Sequence, residues 1–243
     1  MYRYFINVAY RGDNYSGFQK QLNANTIQDE IERALKIYFK SEIELTGSSR
    51  TDAGVHAINN FFQMDITNEL SNPSKDVYHL NAILPGDIVI KKIHKVDNDA
   101  HCRFDATSRK YHYKIYDFKN PFLNDVAYYF PYSLNFESLN KAAEVIFHTS
   151  SFQTFSKKHT QARTFNCKIF KSRWLKFNEV LIYEVEANRF LRGMVKGLVG
   201  TMLKVGRGLI SIEEFESIVL SKDCSKADFS VPSHGLTLME VNY

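Results

Sequence analysis

The sequence predicts an α+β fold built from two tandem ferredoxin-like halves, each a split β-α-β unit. Three observations support this: alternating apolar segments typical of strands, apolar residues at helical spacing between them, and the same order of elements in both parts of the chain. We expect the halves to share one mainly antiparallel sheet, with helices packed on one face and a cleft between the halves.

The first half is predicted to follow the order β-α-β-β-α-β. Thr26 is the expected N-cap of the first helix, because Ile27, Ile31 and Leu35 then share an apolar face and acidic residues fall in the first turn. The predicted elements are a strand at 2–10, this helix, strands at 43–46 and 59–66, a helix at 74–84 and a strand at 88–96.

The second half is predicted to repeat this order with one additional helix. Ser211 and Glu214 have the spacing of a capping box, which indicates the start of the last helix. The predicted elements are a strand at 109–117, a helix at 135–148, strands at 164–170 and 180–187, helices at 190–205 and 211–220, and a closing strand at 236–241.

Composition indicates an ordinary cytoplasmic protein. The 243 residues are 44% hydrophobic and 24% charged, and no stretch approaches the ~18 apolar residues of a membrane span or the pattern of a signal peptide. Cys102, Cys167 and Cys224 are odd in number and widely spaced, so neither a disulfide framework nor a zinc ribbon is supported.

Charge is distributed unevenly along the chain. Residues 1–102 carry 11 Lys and Arg against 13 Asp and Glu, whereas residues 103–243 carry 20 against 14. A basic second half is typical of a surface that meets a polyanion, although solvated surface charge explains the same numbers equally well.

The segment from Gly47 to His56 has the composition of a tight loop that displays side chains. Arg50 and Asp52 are two residues apart and point the same way if the chain is extended there, so the guanidinium would keep the carboxylate ionised. An ionised carboxylate is what a nucleophile requires. An ordinary turn with a surface ion pair is the more frequent cause of this short pattern.

The whole string resembles the catalytic loop of the tRNA pseudouridine synthase A family, whose usual form is Gly-x-Gly-Arg-Thr-Asp-Ala-Gly-Val-His. The resemblance extends over nearly the full chain in ordered blocks, which makes chance similarity a poor explanation. The matching blocks are residues 10–19, 47–56, 84–88 with 104–113, 188–196, and 232–236. Phe18, where the family commonly has Trp, and Ser49, where it has Gly, are mild departures.

The resemblance implies a role for each of three residues. Asp52 is expected to be the nucleophile, Arg50 to help position a flipped-out nucleotide, and Tyr111 to pack against the target uracil. Alternation places Tyr111 and Tyr113 on one face of their strand, so a purely structural aromatic in the core is the alternative for Tyr111.

The predicted helix at 190–205 has sorted faces. Leu191, Val195, Leu198 and Met202 are its expected core stripe, and Arg189, Arg192 and Lys196 its expected basic stripe. The family normally has Arg at the position of Lys196, where it pairs with the catalytic Asp; Lys supplies the charge without the bidentate geometry. Gly193, Gly197 and Gly200 suggest close approach of another element or of RNA.

Further RNA contacts are expected from the basic residues Arg189, Arg192, Lys157 and Lys158, with His159 and Arg163 in the same basic cluster. His94, His101 and Cys102 lie near one another but lack a fourth ligand at usual spacing, so no metal is expected. No cofactor is expected, because the chain has neither a dinucleotide fingerprint nor a phosphate-binding loop.

The resemblance therefore implies an enzyme that isomerises uridines of the tRNA anticodon stem-loop, at positions 38 to 40, and acts as a homodimer. Residues 1–102 would carry the catalytic Asp loop, and residues 103–243 the Tyr and Lys of the site and most RNA contacts. One alternative is a noncatalytic RNA-binding or chaperone protein on the same scaffold. Another is a hydrolase in which Asp52 and His56 form an acid/base pair.

Overall fold

The computed structural model describes residues 1–158 and 162–243. His159, which belongs to the basic cluster expected near RNA, lies outside these residues. The chain divides into two compact units, Met1–Thr107 with Thr237–Tyr243, and Ser108–Leu236. The elements are β1 (Tyr2–Tyr10), α1 (Ile27–Phe39), β2 (Leu45–Gly47), β3 (His56–Ile66), α2 (Pro73–Ile83), β4 (Ile88–Val96), β5 (Ser108–Tyr116), β6 (Tyr128–Tyr129), α3 (Phe136–His148), β7 (Ile169–Phe177), β8 (Val180–Ala187), α4 (Met194–Gly206), α5 (Ile212–Leu220) and β9 (Leu236–Asn242).

The first unit follows the predicted β-α-β-β-α-β order. Strands β4, β1 and β3 pair antiparallel, β2 adds to β3, and β9 pairs parallel with the start of β3. Thr26 caps α1 by accepting a hydrogen bond from the backbone N–H of Asp29, as predicted. The stacked rings of Phe18 and Phe62, with centroids 4.3 Å apart, fill the core beneath the β2–β3 connection.

The second unit places β8 between β5 and β7, all antiparallel, with the short β6 along the end of β5. Helix α3 is fixed to β7 because Ser172 donates to the carbonyl of Ala143 and the Trp174 N–H donates to Asn140. The capping box of Ser211 and Glu214 at the start of α5 is present, as predicted.

Two predicted elements are wrong in position. The strand expected at 164–170 begins at Ile169 and runs to Phe177. The charged residues of this strand mask its apolar pattern in the sequence. In the structure, Lys171 and Arg173 lie opposite Glu186 and Glu184 on β8, and such cross-strand charge pairs favour a strand. The helix expected from Phe190 begins only at Met194, because Gly193 adopts a left-handed conformation with φ of 75°.

The division into units also differs from the predicted boundary after Cys102. The first unit continues to Thr107, whose N–H donates to the carbonyl of Asn242, and the Tyr243 hydroxyl donates to the carbonyl of Cys102. The closing strand thus packs with the first unit.

The predicted fold class is confirmed: the protein is α+β, and its strands pair mostly antiparallel. None of the helices in the described ranges is long and apolar enough to cross a membrane.

Candidate active site

The loop that carries Asp52 joins β2 to β3 and is fixed at both ends. The Ser48 N–H donates to the carbonyl of Phe61 at 2.8 Å, and the buried side chain of Asn60 donates to the carbonyl of Ser49 at 2.8 Å. At the other end, the Val55 N–H donates to the carbonyl of Asp52 at 3.2 Å, which closes a turn. Gly54 in this turn has φ of 78°, a conformation that favours glycine.

Residues 10–19 support the same loop through hydrogen bonds. The Phe18 N–H donates to the carbonyl of Thr51 at 3.1 Å. Burial raises the pKa of Tyr10 to about 12. Its hydroxyl accepts from Asn60 at 3.1 Å and forms a 2.8 Å hydrogen bond with Thr51 Oγ1, in which either hydroxyl can be the donor. Asp52 is therefore preceded by a residue held through both its backbone and its side chain.

Two glycines let residues 10–19 approach the Asp52 loop this closely. A Cβ on Gly12 would lie 2.1 Å from the carbonyl oxygen of Val55, and Gly17 has φ of 117° with the carbonyl of Thr51 against it. Sequence reasoning assigned these glycines only to a family block. Their support of the loop depends on a contact between distant segments, which sequence periodicity does not reveal.

His56 also helps to hold residues 10–19 against the loop. Its ring is buried, and its Nδ1 accepts a hydrogen bond from the Gly12 N–H at 3.1 Å. With Nδ1 accepting from the backbone, the neutral ring carries its proton on Nε2 and has no nitrogen available as a general base. This contact favours a structural role over the Asp52–His56 acid/base pair.

Arg50 and Asp52 lie on either side of the buried Thr51. Arg50 is exposed and Asp52 is half-buried, which is the alternation expected of an extended segment that directs both outward. The two side chains do not form an ion pair in the described part of the first unit, so the surface ion pair of the ordinary-turn alternative is not present there. Burial, and then the positive charge of Arg103, lower the pKa of Arg50.

Tyr111 lies in the second unit, on β5 opposite Val185. Its ring is buried and meets Phe190 edge to face, with centroids 5.0 Å apart. Tyr113, on the same face of the strand, is a core residue whose hydroxyl donates to the carbonyl of Pro232 at 2.7 Å, and burial raises its pKa. Phe190 was missed because it was expected inside a helix.

Lys196 is in the first turn of α4, where its Nζ donates to Ser233 Oγ at 3.3 Å. The predicted basic stripe on this helix is wrong, since Arg189 and Arg192 precede the helix. Gly197 and Gly200 are explained by protein packing, because a Cβ there would meet the ring of Phe229 at 2.8 Å and the carbonyl of Asp228 at 2.2 Å.

Of the other residues expected to contact RNA, Lys157 and Arg192 lie at the start of α4. The Lys157 N–H donates to the carbonyl of Arg192 at 3.1 Å, and the Lys157 side chain covers Gly193. Arg189 donates to Thr164 Oγ1 at 3.3 Å, and Lys158 is exposed. Lys157 and Arg192 are thus brought together by the backbone contact.

Comparison with known proteins gives the family. A family model described as tRNA pseudouridine synthase matches residues 6–105 and 147–243. The tRNA pseudouridine synthase A of Parabacteroides distasonis is 42% identical over 243 residues, covering 100% of this chain and 96% of the relative. The proteins of that name from Bacteroides fragilis and Acetivibrio thermocellus are 41% and 37% identical, covering 99% and 97% of this chain and 96% and 97% of the relatives.

The chain belongs to the tRNA pseudouridine synthase family, a family of isomerases that convert uridine to pseudouridine. The resemblance drawn from the ordered sequence blocks is therefore confirmed.

Proposed function

We propose that this protein isomerises uridines at positions 38 to 40 of the tRNA anticodon stem-loop, with Asp52 as the nucleophile. The observation that carries the proposal is the presentation of Asp52: a half-buried carboxylate follows a residue tied to Phe18 and Tyr10, in a turn closed by Val55. A fixed backbone beneath a reacting group lowers the entropic cost of reaching the transition state.

The reaction exchanges one bond for another without redox change. The bond from ribose C1′ to uracil N1 breaks, the base rotates, and a bond from C1′ to C5 forms. The proton leaves C5 and N1 gains one. Asp52 acts either by attack at C1′ or by removing a proton at C2′, and both routes require an ionised carboxylate. The uridine must be flipped out of the RNA to be reached.

The other residues have supporting roles in the proposal. Arg50 helps to position the flipped nucleotide, and Tyr111 packs against the uracil ring, supported by its edge-to-face contact with Phe190. Lys196 supplies the positive charge that favours the ionised aspartate. Arg189, Arg192, Lys157 and Lys158 contact RNA phosphates, which fix position without reading sequence.

The test is to incubate the protein with tRNA transcripts and map pseudouridine at each position. We expect product at one or more of positions 38 to 40, and none in a matched transcript with cytidine at those three positions. Product confined to other uridines would contradict the proposed position. Absence of any product, with retained RNA binding, would favour the noncatalytic RNA-binding alternative.

A second experiment tests Lys196. Lys196→Ala is expected to lower the single-turnover rate about 100-fold, while Lys196→Arg stays within about threefold of the parent, because a positive charge is what the role requires. Lys204→Ala is the control, since Lys204 is on the same helix and pairs with Asp228. Equal, near-parental rates for both Lys196 variants would refute the charge role.

We also propose that the protein acts in the cytoplasm as a homodimer. One chain has a mass of 28.2 kDa. If the protein is a dimer, sedimentation at micromolar concentration should give about twice that mass. A mass of one chain at concentrations that sustain full activity would contradict the dimer.

A further inference from the structure

A second feature of the first unit is a cavity of about 270 Å³ beside Arg50. Gly47 and Arg50 come from the segment that begins the Asp52 loop, and His101, Arg103 and Phe104 come from the segment after β4. Nothing in the proposed isomerisation of uridine uses this second segment.

The charged side chains that line the cavity are two arginines, Arg50 and Arg103, and none of the described residues that line it is Asp or Glu. The nearby carboxylates of Glu32 and Asp105 accept hydrogen bonds from the lining residues Leu45 and His101. The charge of Arg103 contributes to lowering the pKa of Arg50, so two guanidinium groups repel one another across this space. Arg50 makes no hydrogen bond or ion pair with the described residues of its unit. An anion between the two groups would relieve the repulsion.

The cavity also has an exposed aromatic wall. Phe104 is 74% exposed, and a bulky apolar side chain in this position is available to a planar ligand. His101 lies against it with ring centroids 4.3 Å apart, and the Arg103 guanidinium carbon is 5.7 Å from its centroid.

The segment that carries this wall is fixed to the unit. Cys102 is buried, its Sγ donates to the carbonyl of Thr46 at 3.1 Å, and its carbonyl accepts from the Tyr243 hydroxyl at 2.7 Å. The His101 N–H donates to Asp105 at 2.7 Å. A backbone held in this way loses little freedom on binding, which favours a specific ligand.

We propose that this cavity binds a nucleotide adjoining the isomerised uridine, with its base against Phe104 and its phosphate between Arg50 and Arg103. An aromatic face beside paired guanidinium groups matches a base and its phosphate in single-stranded RNA. Arg50 is two residues from Asp52, and two residues of chain span at most about 7 Å. A nucleotide next to the uridine at Asp52 is therefore within reach of Arg50. The proposal rests on the proposed function, because it takes RNA as the ligand.

The test uses anticodon stem-loop RNAs that carry 2-aminopurine on the 5′ or the 3′ side of the target uridine. Stacking on an aromatic ring lowers the fluorescence of this base, so one of the two RNAs should dim on binding to the parent. Phe104→Ala should abolish the dimming and weaken binding about tenfold, whereas Phe104→Tyr should preserve both. Phe122→Ala, at a 90% exposed ring in the second unit, is the matched control and should change neither.

The arginine is tested by salt dependence. Arg103→Gln should reduce the slope of log binding constant against log salt by about one, the loss of one phosphate contact. Arg33→Gln, on the exposed face of α1 and paired with Glu30, should leave the slope unchanged.

Three results would overturn this inference: parental dimming and affinity in Phe104→Ala, equal weakening in the Ala and Tyr variants, or an unchanged slope in Arg103→Gln. These outcomes differ from failure of the proposed function, which would appear as absence of pseudouridine from the parent with the fluorescence response intact.

Discussion

Asp52→Asn is expected to lower the single-turnover rate of pseudouridine formation by at least about 10⁴-fold, while the affinity for tRNA stays within about threefold of the parent. Asn has nearly the shape of Asp but lacks the negative charge, so the variant separates chemistry from packing. Because the carbonyl of Asp52, not its side chain, closes the turn with Val55, the loop should keep its conformation.

The control for this variant is Asp97→Asn, which removes one negative charge from an exposed turn of the same unit. It should turn over at the parental rate. Product formation by Asp52→Asn at a rate close to the parent's would remove Asp52 from the role of nucleophile. A large loss of tRNA affinity in the same variant would instead indicate a role in RNA binding.

Gly12→Ala should also have a large effect, on stability as well as on rate, although Gly12 carries no chemistry. The added Cβ would lie 2.1 Å from the carbonyl oxygen and 2.7 Å from the carbonyl carbon of Val55, and a backbone group cannot rotate away as a side chain would. Either segment must move, and the shift reaches the turn through the hydrogen bond from Val55 to Asp52.

We expect Gly12→Ala to lower the single-turnover rate about 100-fold, since a displacement near 1 Å is enough for such a loss. The free energy of unfolding, measured by urea titration, should fall by roughly 1–3 kcal/mol. Gly86→Ala is the control, because nothing lies within 4 Å of a Cβ there. If Gly12→Ala matches Gly86→Ala in both rate and stability, the proposed steric support of the loop is wrong.

Local patterns were sufficient to predict much of the fold. The alternation in β1 and β4 and the caps at Thr26 and Ser211 depend on residues close in sequence, so local patterns were enough to predict them. Strand β7 was misplaced because its lysines and arginine conceal the apolar pattern until Glu184 and Glu186 are known to lie opposite. The predicted start of α4 was too early, because the apolar spacing of a helix does not reveal that Gly193 adopts a left-handed conformation.

The candidate site was predictable to a different extent. The Arg50–Asp52 loop was found from its motif, and burial of Thr51 between them agrees with the expected alternation. The supports of the loop were not found, since the contacts of Gly12 with Val55 and His56 join segments distant in sequence. Phe104 gave no signal either, because an isolated exposed aromatic is ordinary until its surroundings are known.

The attachments of the Asp52 loop have a consequence for how the protein folds. The Tyr10–Thr51 and Gly12–His56 hydrogen bonds span 41 and 44 residues of sequence. Such contacts form only after the intervening chain has closed, which slows their formation relative to the turn from Asp52 to Val55. We therefore expect the aspartate to reach its final position late, when β1 has paired with β3. A peptide that begins after Phe18 would contain the whole motif yet lack the contacts that position it.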